Sequence, residues 1–411
     1  MNFFSLYLKK LRKVNNSVLF KNNSHCENYS CKTFLIIFAL FFIFIFIVYF
    51  EMKLKVKLKN YSIGKQFIDK CLRNENIYNF SDFYDSPQIS VIIPAYNCEK
   101  TIYYPIISIQ NQNFSKYEII LINDFSTDQT LKTILLWSKH DKRIKIINNK
   151  ENKGTLYSRC LGTLMSKGKY IFPLDNDDML FGEDIFDYLY KINIEDKYDI
   201  VGFNAVKAKS YFDNIYKMKD ISNYKYKDNL IVIQPELSTW LISINGKFIT
   251  HDVTLWGKII KSKLYKNGIN LLGKNRYSTY MSWAEDTTMN FVIFNIANNF
   301  KFILKYGIFH LISKSTASYT QPINNHFFGE LFFTEIIFDF SNNNHNKIFA
   351  LFSAMFILKK FYQKRSLIKR NNIQYLNNII SKILNSKHIS IYNKNNLISS
   401  FHKFLNAFGN I

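Results

Sequence analysis

The feature that most constrains the fold of this chain is an alternation of short apolar runs and helical patterns between residues 89 and 175. Four β-rich runs end in turn residues: "ISVIIPAYN" at 89–97, "YEIILIND" at 117–124, "RIKIIN" at 143–148 and "YIFPLD" at 170–175. Helical patterns separate them at about 99–112, 128–139 and 154–167. Strands joined by helices of this length make right-handed crossovers within a parallel sheet. The pattern therefore predicts an α/β fold with a mostly parallel, Rossmann-like sheet and flanking helices.

Three acids follow the fourth apolar run, in "LDNDD": Asp175, Asp177 and Asp178. A solvated turn that ends a strand is one interpretation of this cluster. The other is a cation site, because carboxylate oxygens are the ligands that Mg²⁺ and Mn²⁺ prefer. Ligands of α/β sheets gather at the carboxyl ends of the strands, where Pro94 and Asp124 also lie. The position of the acids therefore favours the cation site.

Known nucleotide signatures are absent from the first strand–helix junction. A dinucleotide fold requires G-x-G-x-x-G there, and a P-loop requires G-x-x-x-x-G-K-[ST]. The first strand ends instead in "PAYN", which contains no glycine. Any nucleotide site in this chain is therefore of another type.

Composition excludes some classes of protein. The chain has 411 residues, of which 47% are hydrophobic and 17% aromatic, so it can bury a sizeable core and is not disordered. Its net charge of +23 is compatible with an anionic partner, but Lys, Asn, Ile, Phe and Tyr are all frequent, which indicates a general compositional drift. No zinc-finger pattern or arginine-rich stripe supports a nucleic-acid partner. Five cysteines without a C-x-x-C pair do not form a disulfide framework.

An uncharged apolar segment, "TFLIIFALFFIFIFIVYF" at 33–50, is long enough to cross a hydrocarbon core. A cleaved signal peptide is disfavoured by the 32 residues that precede it and by its length. We therefore expect a basic lead at 1–32, a transmembrane anchor at 33–50 and a stem at 51–86. The expected location is a membrane, by a single N-terminal span, in the Golgi or endoplasmic reticulum if the source is eukaryotic. Basic residues on both sides of the segment leave its orientation open.

Five short motifs occur in order along the chain: "VIIPAYN", "INDFSTDQT", "NKGTLYSR", "LDNDD" and "WAED". Together they resemble glycosyltransferase family 2, the inverting enzymes of GT-A fold, over a domain that we place at 87–320. The resemblance implies a nucleotide-diphosphate sugar as donor, most often a UDP-sugar, and a divalent cation, Mn²⁺ or Mg²⁺. It also implies transfer of a hexosyl or N-acetylhexosaminyl group with inversion at the anomeric carbon.

The resemblance assigns roles to individual residues. Those implied to bind the nucleotide sugar are Pro94, Ala95, Tyr96, Asp124, Arg159, Asp175 and Asn176. The first three would line the nucleobase, Asp124 would bond the uracil, and Asp177 with Asp175 would hold the metal. The sequence departs from the family at Asn123, where an aspartate is frequent, and at Phe125, where glycine is frequent.

An inverting transfer needs a general base, and the resemblance points to "SWAEDTTMNFVIF" for it. The apolar spacing after Asp286 predicts that Glu285 and Asp286 open a helix. Acids in a first helical turn are favoured by the helix dipole alone, but the upstream motifs favour Asp286 as the base, with Glu285 beside it. Trp283 is a candidate for stacking on an acceptor sugar or for a place in the core. A catalytic role for His251 is the weaker alternative.

The last part of the chain, 321–411, has the pattern of basic amphipathic helices. Between residues 341 and 411 there are eleven Lys or Arg and no Asp or Glu. These helices are either a cap on the catalytic domain or a surface for anionic lipid.

The expected function is therefore a membrane-anchored, metal-dependent glycosyltransferase that acts on a hydroxyl of a glycan, glycoprotein or glycolipid. A polyprenyl-phosphate glycosyltransferase and a catalytically silent sugar-binding module are the alternatives.

Overall fold

The predicted alternation is present in the computed structural model. The structure describes residues 86–193, 197–208, 219–220, 229–234, 254–311, 322–340 and 367–386, with isolated residues between 350 and 361 and between 395 and 399. All of them belong to one compact unit, Ile63–Ile411. The domain boundaries inferred above remain a prediction.

Strands and helices alternate through the first half of the described chain. The elements are β1 (Ile89–Ala95), α1 (Tyr103–Gln110), β2 (Tyr117–Asn123), α2 (Thr130–His140), β3 (Ile144–Asn148), α3 (Thr155–Met165) and β4 (Tyr170–Pro173). Pro105 falls in the first turn of α1, where a missing N–H costs nothing, so the helix begins later than the apolar pattern suggests.

The second half of the chain mixes short strands with helices. It contains β5 (Met179–Leu180), α4 (Ile185–Ile192), β6 (Ile200–Ala208), β7 (Lys219–Asp220), β8 (Leu230–Ile233), β9 (Lys258–Lys261), α5 (Ser262–Leu272), α6 (Lys274–Tyr277), α7 (Glu285–Ile296), β10 (Asn299–Leu311), α8 (Ile323–Phe340) and α9 (Arg370–Leu384). The last two are helices of the C-terminal region, as predicted for that part of the chain.

The described strands form one sheet in the order β3-β2-β1-β4-β9-β6-β10-β5, with β7 on β6 and β8 on β10. The first four strands are parallel, as expected. Beyond β4 the sheet is mixed, because β9 runs antiparallel to both of its neighbours while β10 runs parallel to β6. The fold is therefore an α/β fold with a mixed sheet, which is less parallel than the sequence pattern indicated.

Both faces of the sheet are covered by helices, which explains why the central strands are apolar throughout. Successive residues of β1 alternate between two cores: Val91 and Ile93 pack with α1, α2 and α4, while Ile92 packs with α3, α5, α7 and α8. Every residue of β1 and β2 is buried. This arrangement leaves the carboxyl ends of these strands as the place where polar side chains can meet a ligand.

A buried carboxylate ties four segments of the sheet together. Glu118 in β2 accepts hydrogen bonds from Ser90 Oγ (2.6 Å), Lys145 Nζ (2.5 Å) and the backbone N–H groups of Lys167 (2.6 Å) and Gly168 (3.2 Å). Burial alone would raise the pKa of Glu118, but the bonds from Lys145, Ser90 and Lys167 lower it below 4.5. The ionised form therefore stabilises the folded state.

The membrane prediction needs a correction. Residues 33–50 lie outside the described part of the chain, and none of the helices described has the length and apolar character needed to cross a bilayer. On this finding the single-pass membrane location was wrong.

Candidate active site

The segments that follow β1, β2 and β4 converge at one edge of the sheet. These strands are adjacent and parallel, so their carboxyl ends lie side by side. A direct bond joins two of the segments: Asn176 Nδ2 donates to the carbonyl oxygen of Pro94 over 2.9 Å. The sequence-predicted residues of these segments, from Pro94 to Asp177, are therefore brought together as the parallel pattern implied.

Asp124, at the end of β2, is buried and already bonded. Its carboxylate accepts hydrogen bonds from Asn149 Nδ2 (2.7 Å) and from the backbone N–H groups of Lys153 (2.9 Å) and Gly154 (2.8 Å). Only 3% of the residue is exposed. Asp124 thus fixes the turn that leads into α3, and most of its hydrogen-bonding capacity is used within the protein.

Gly154, whose N–H is held by Asp124, needs to be glycine. Its φ is +85°, and a Cβ there would lie 2.6 Å from the carbonyl oxygen of Met281. The two residues form a parallel β-bridge. This close approach brings the segment before "WAED" against the start of α3.

Arg159, on α3, links the two acidic motifs. Its Nη2 donates to Asp175 Oδ1 over 2.9 Å, and its Nη1 lies 3.3 Å from Asp286 Oδ1. The residue is 2% exposed, its Nε makes no hydrogen bond among the described residues, and its Nη1 meets Asp286 as an ion pair. A buried cation between two carboxylates holds residues 111 positions apart in sequence (286 − 175) close to each other.

The acid cluster after β4 divides into a buried and a partly exposed part. Asp178 is fully buried and accepts hydrogen bonds from His310 Nδ1 (2.9 Å) and the N–H of Leu311 (3.2 Å). Burial would lower the pKa of His310, but the Asp178 carboxylate raises it to about 9, while burial raises the pKa of Asp178. The imidazole also stacks on Trp256, with ring centroids 4.8 Å apart.

Asp177 lies beside two other carboxyl groups, those of Asp175 and Asp178. Burial, together with the neighbouring Asp178 and Asp175, raises the pKa of Asp177 to about 8. Within the described residues no group of three or more His, Cys, Asp or Glu side chains is arranged to hold a metal ion. Carboxylate oxygens are the donors that a hard dication prefers, and a bound dication would favour the ionised forms of these carboxyl groups. The divalent cation stays a prediction.

Glu285 and Asp286 open α7, as predicted, and the residue before them is strained. Ala284 has φ +62°, the left-handed conformation that non-glycine residues rarely adopt. Asp286 Oδ2 accepts a hydrogen bond from the N–H of Leu255 (3.1 Å), whereas Oδ1 has no hydrogen-bond partner among the described residues.

Both carboxyls have raised pKa values. Burial and the charge of Asp286 raise the pKa of Glu285 to about 8. Burial also raises the pKa of Asp286, against the opposing effect of Arg159. A carboxylate with a raised pKa is a stronger base near neutral pH.

Trp283 is held by the C-terminal region. Its ring lies against His326 of α8, with centroids 3.8 Å apart, and Asn325 Nδ2 donates to Ser282 Oγ over 3.2 Å. Gly329 of α8 packs so tightly on the Trp283 backbone that a Cβ there would lie 2.9 Å from the Trp283 carbonyl carbon. The C-terminal helix therefore determines where the "WAED" segment lies.

A cavity of about 300 Å³ opens beside this segment. Its lining comes from residues 279–282, from the start of α8 and from the region where α9 begins: Thr279, Tyr280, Met281, Ser282, Asn324, Asn325, Phe328, Lys369 and Asn372. No acid is among them. The lining is of hydroxyl, amide and aromatic groups, with one ammonium group.

Some of these residues were not found from the sequence. His310 lies in a strand with no motif around it, and only its place opposite the acid cluster gives it a role. The C-terminal residues against Trp283 carry no signal of their own either. His251, the weaker candidate for catalysis, lies outside the described residues.

Comparison with known proteins agrees with the resemblance that the motifs indicated. Residues 90–248 match Glycosyl transferase family 2. An uncharacterized glycosyltransferase of Haemophilus influenzae is 50% identical over 93 residues, which are 23% of this chain and 29% of the relative. The Escherichia coli UDP-Glc:alpha-D-GlcNAc-diphosphoundecaprenol beta-1,3-glucosyltransferase WfgD is 30% identical over 131 residues, which are 30% of this chain and 51% of WfgD. The chain spans less than half the length of the first curated relatives that it matches.

Among solved structures, S. aureus TarS in complex with UDP-GlcNAc superimposes with a TM-score of 0.55 at 17% sequence identity. The match covers 78% of this chain and 89% of TarS 1-349. At this identity the likeness concerns the fold alone, a GT-A-type α/β fold with the mixed sheet described above. Through its residues 90–248, this chain is similar to glycosyl transferase family 2.

Proposed function

We propose that this chain is an inverting glycosyltransferase that moves a sugar from a nucleoside diphosphate sugar to a hydroxyl group of a glycan or lipid-linked sugar. The observation that carries the proposal is the pair of contacts made by Arg159, to Asp175 at 2.9 Å and to Asp286 at 3.3 Å. These contacts gather the acids after β4 and the acids of α7 at the carboxyl edge of the sheet, where an α/β fold binds its ligand.

In the proposed reaction Asp286 is the general base. The acceptor oxygen attacks the anomeric carbon as the bond from that carbon to the diphosphate oxygen breaks, and the hydroxyl proton passes to Asp286 Oδ1. This oxygen makes no hydrogen bond among the described residues and lies 3.3 Å from Arg159 Nη1. The raised pKa of the carboxyl suits it to accept a proton. A single displacement of this kind inverts the configuration at the anomeric carbon.

The same arrangement suits the leaving group. Arg159 contributes a buried positive charge beside Asp175, which favours negative charge on the leaving group. A divalent cation, when bound, supplies electrostatic stabilisation to the departing diphosphate, and Asp177 with Asp175 would hold it. UDP is the nucleotide that we expect, in line with the UDP-GlcNAc complex of TarS.

The cavity beside "WAED" is the proposed place of the acceptor. Its amides, hydroxyls and the half-exposed ring of Tyr280 suit the hydroxyl groups and C–H faces of a sugar ring, and its volume holds one. The residues at its wall, Met281 and Ser282, lead directly into Trp283 and the proposed base. The likeness to WfgD, whose acceptor is a diphosphoundecaprenol-linked GlcNAc, favours a lipid-linked sugar as acceptor.

The proposal is tested by measuring sugar transfer by the purified full-length protein from a panel of nucleotide sugars in the presence of Mn²⁺. Asp286→Asn keeps size but cannot take the proton, so we expect the transfer rate to fall about 10²–10⁴-fold with donor affinity unchanged. Glu285→Gln is expected to be milder. Asp187→Asn, on the exposed face of α4 where Asp187 pairs with Lys191, is the control and keeps full activity.

Three results would contradict the proposal. Turnover that persists in Asp286→Asn and is lost in Glu285→Gln would make Glu285 the base. A product that retains the donor's anomeric configuration would exclude the single displacement. Wild-type protein that binds nucleotide sugars without turnover would indicate the silent binding module, and failure to bind any of them would overturn the proposal.

A further inference from the structure

One helix holds both polar groups of the peptide unit between Thr254 and Leu255. The N–H of Leu255 donates to Asp286 Oδ2 over 3.1 Å, and the carbonyl oxygen of Thr254 accepts from Asn290 Nδ2 over 2.6 Å. Asp286 and Asn290 are four positions apart on α7 (290 − 286), so they lie on the same face of the helix. The side chain of Asn290 is therefore tied to the proposed base through a single peptide unit.

Lys258, at the start of β9, donates a further hydrogen bond to the same carbonyl oxygen of Thr254. Only 1% of this lysine is exposed. A buried ammonium group is costly unless its charge is compensated, so a lysine in this position calls for an explanation. Its charge also acts on the neighbouring acid: burial raises the pKa of Asp286, whereas Arg159 and, less strongly, Lys258 lower it.

These bonds determine how the carboxylate of Asp286 is turned. The torsion that rotates an aspartate carboxylate has broad preferences of its own, so hydrogen bonds must fix it. The N–H of Leu255 fixes Oδ2, while Oδ1 makes no hydrogen bond among the described residues and faces Arg159. Two donors on the carbonyl side polarise the peptide unit and strengthen its N–H as a donor. The orientation of Oδ1 therefore depends on groups that do not touch Asp286.

The same short segment also reaches the acid cluster after β4. Trp256, which is 8% exposed, stacks on His310 with ring centroids 4.8 Å apart, and His310 Nδ1 is bonded to Asp178 over 2.9 Å. Residues 254–256 thus contact the proposed base on one side and a partner of the acid cluster on the other. A general base has to lie within about 3 Å of the oxygen whose proton it takes, so this segment matters for the distance between base and donor.

We infer that Asn290 and Lys258 are positioning residues for the proposed base. By holding the carbonyl of Thr254 they keep the N–H of Leu255 on Asp286 Oδ2, and this leaves Oδ1 turned toward the acceptor hydroxyl. The inference rests on the proposed function, since it concerns how the base of that reaction is oriented. Both residues are buried and are not expected to touch either substrate. They therefore act on the chemical step and not on substrate binding.

The test replaces each donor in the full-length protein. Asn290→Leu and Lys258→Met keep approximate size and remove the hydrogen bond to the Thr254 carbonyl. We expect each to lower kcat for sugar transfer by about 10- to 100-fold, because a displacement of about 1 Å can cost 100-fold, with the KM of donor and acceptor unchanged. Asn295→Leu is the matched control, since Asn295 also lies on α7 and bonds a backbone carbonyl, that of Phe291, over 2.7 Å. It should keep the wild-type kcat.

A double-mutant cycle separates positioning from general structural damage. A residue that acts through Asp286 loses its effect once the base is gone, whereas independent effects multiply. Asn290→Leu should therefore lower kcat 10- to 100-fold in the wild type and hardly at all in an Asp286→Asn background, by the same estimate of about 1 Å misplacement. Thermal unfolding of each variant verifies that it is folded.

The outcomes distinguish the inference from the function on which it rests. Wild-type protein that transfers sugar, with wild-type kcat in both Asn290→Leu and Lys258→Met, refutes the positioning role and leaves the proposed function intact. An equal loss in the Asp286→Asn background refutes it as well, because the effect would not pass through the base. Variants that fail to fold would show that the bonds to Thr254 serve the fold alone, which also refutes it. Wild-type protein that transfers sugar from no nucleotide sugar overturns both.

Discussion

Replacing Gly329 by alanine should damage catalysis without damaging nucleotide binding. Gly329 lies on α8, and a Cβ there would be 2.9 Å from the carbonyl carbon of Trp283 and closer still to its oxygen. Real Cβ atoms essentially never approach to less than 3.0 Å, and the atoms met are backbone, which cannot rotate away. The helix and the "WAED" segment must therefore separate by about 1 Å, a displacement that can cost roughly 100-fold in rate.

The effect on stability is expected to be small because two terms oppose each other. Alanine is favoured over glycine inside a helix by about 1 kcal/mol, while forcing extra volume into a packed contact costs about 1–3 kcal/mol. The net loss is about 0–2 kcal/mol. Gly268→Ala is the matched control, since Gly268 also lies inside a helix but its Cβ would meet a side-chain atom of Ile293 at 3.2 Å.

The assay compares transfer rate, UDP affinity and urea unfolding for both alanine variants. We expect Gly329→Ala to lose about 100-fold in kcat with the UDP dissociation constant unchanged, and Gly268→Ala to stay near the wild type. A Gly329→Ala protein with wild-type kcat and a wild-type unfolding midpoint would show that α8 does not position the proposed base. The reasoning from close approach would then be wrong.

Two further predictions concern the sheet and the acceptor cavity. Glu118→Gln should lower the free energy of unfolding by about 2–4 kcal/mol at pH 7, because the amide N–H₂ replaces an acceptor beside Lys145. Folding lowers the pKa of Glu118, so the difference in unfolding free energy between the wild type and the variant should be complete above about pH 4.5. Urea unfolding should show this difference disappearing as the pH falls through the folded-state pKa. A difference that stays constant with pH would contradict the carboxylate's role. Tyr280→Ala should raise the KM for the acceptor sugar several-fold and leave donor hydrolysis unchanged. An unchanged acceptor KM would place the acceptor outside the cavity.

The local pattern of the sequence was sufficient to predict the strands in the first half of the sheet and their parallel pairing. The strand residues of β1 and β2 are apolar throughout because helices cover both faces, and the polar residues that follow them end the strands. Parallel pairing then brings the strand ends together whatever the side chains are. The helix that begins at Glu285 was predictable in the same way, from apolar spacing that follows two acids.

The rest of the site depends on contacts between residues far apart in sequence. The antiparallel course of β9 and the pairing of β10 with β6 leave no periodic signal, because short strands of either direction have the same alternation. His310 lies opposite Asp178 across 132 positions, and its meaning appears only when β10 is in place. The docking of Gly329 on Trp283 is likewise a matter of backbone approach, which side-chain patterns do not report.

The division between family-like and chain-specific residues runs through the proposed active site itself. The family match ends at residue 248, yet Glu285 and Asp286 lie beyond it and Trp283 is packed against a C-terminal helix. Arg159 lies within the matched region and contacts an acid on each side of the boundary. Donor binding can therefore follow from the matched region, while the distance between base and donor depends on how α7 and α8 dock. In the proposed reaction the acceptor binds at that docked surface, so the proposal predicts that acceptor choice depends on residues outside the matched region.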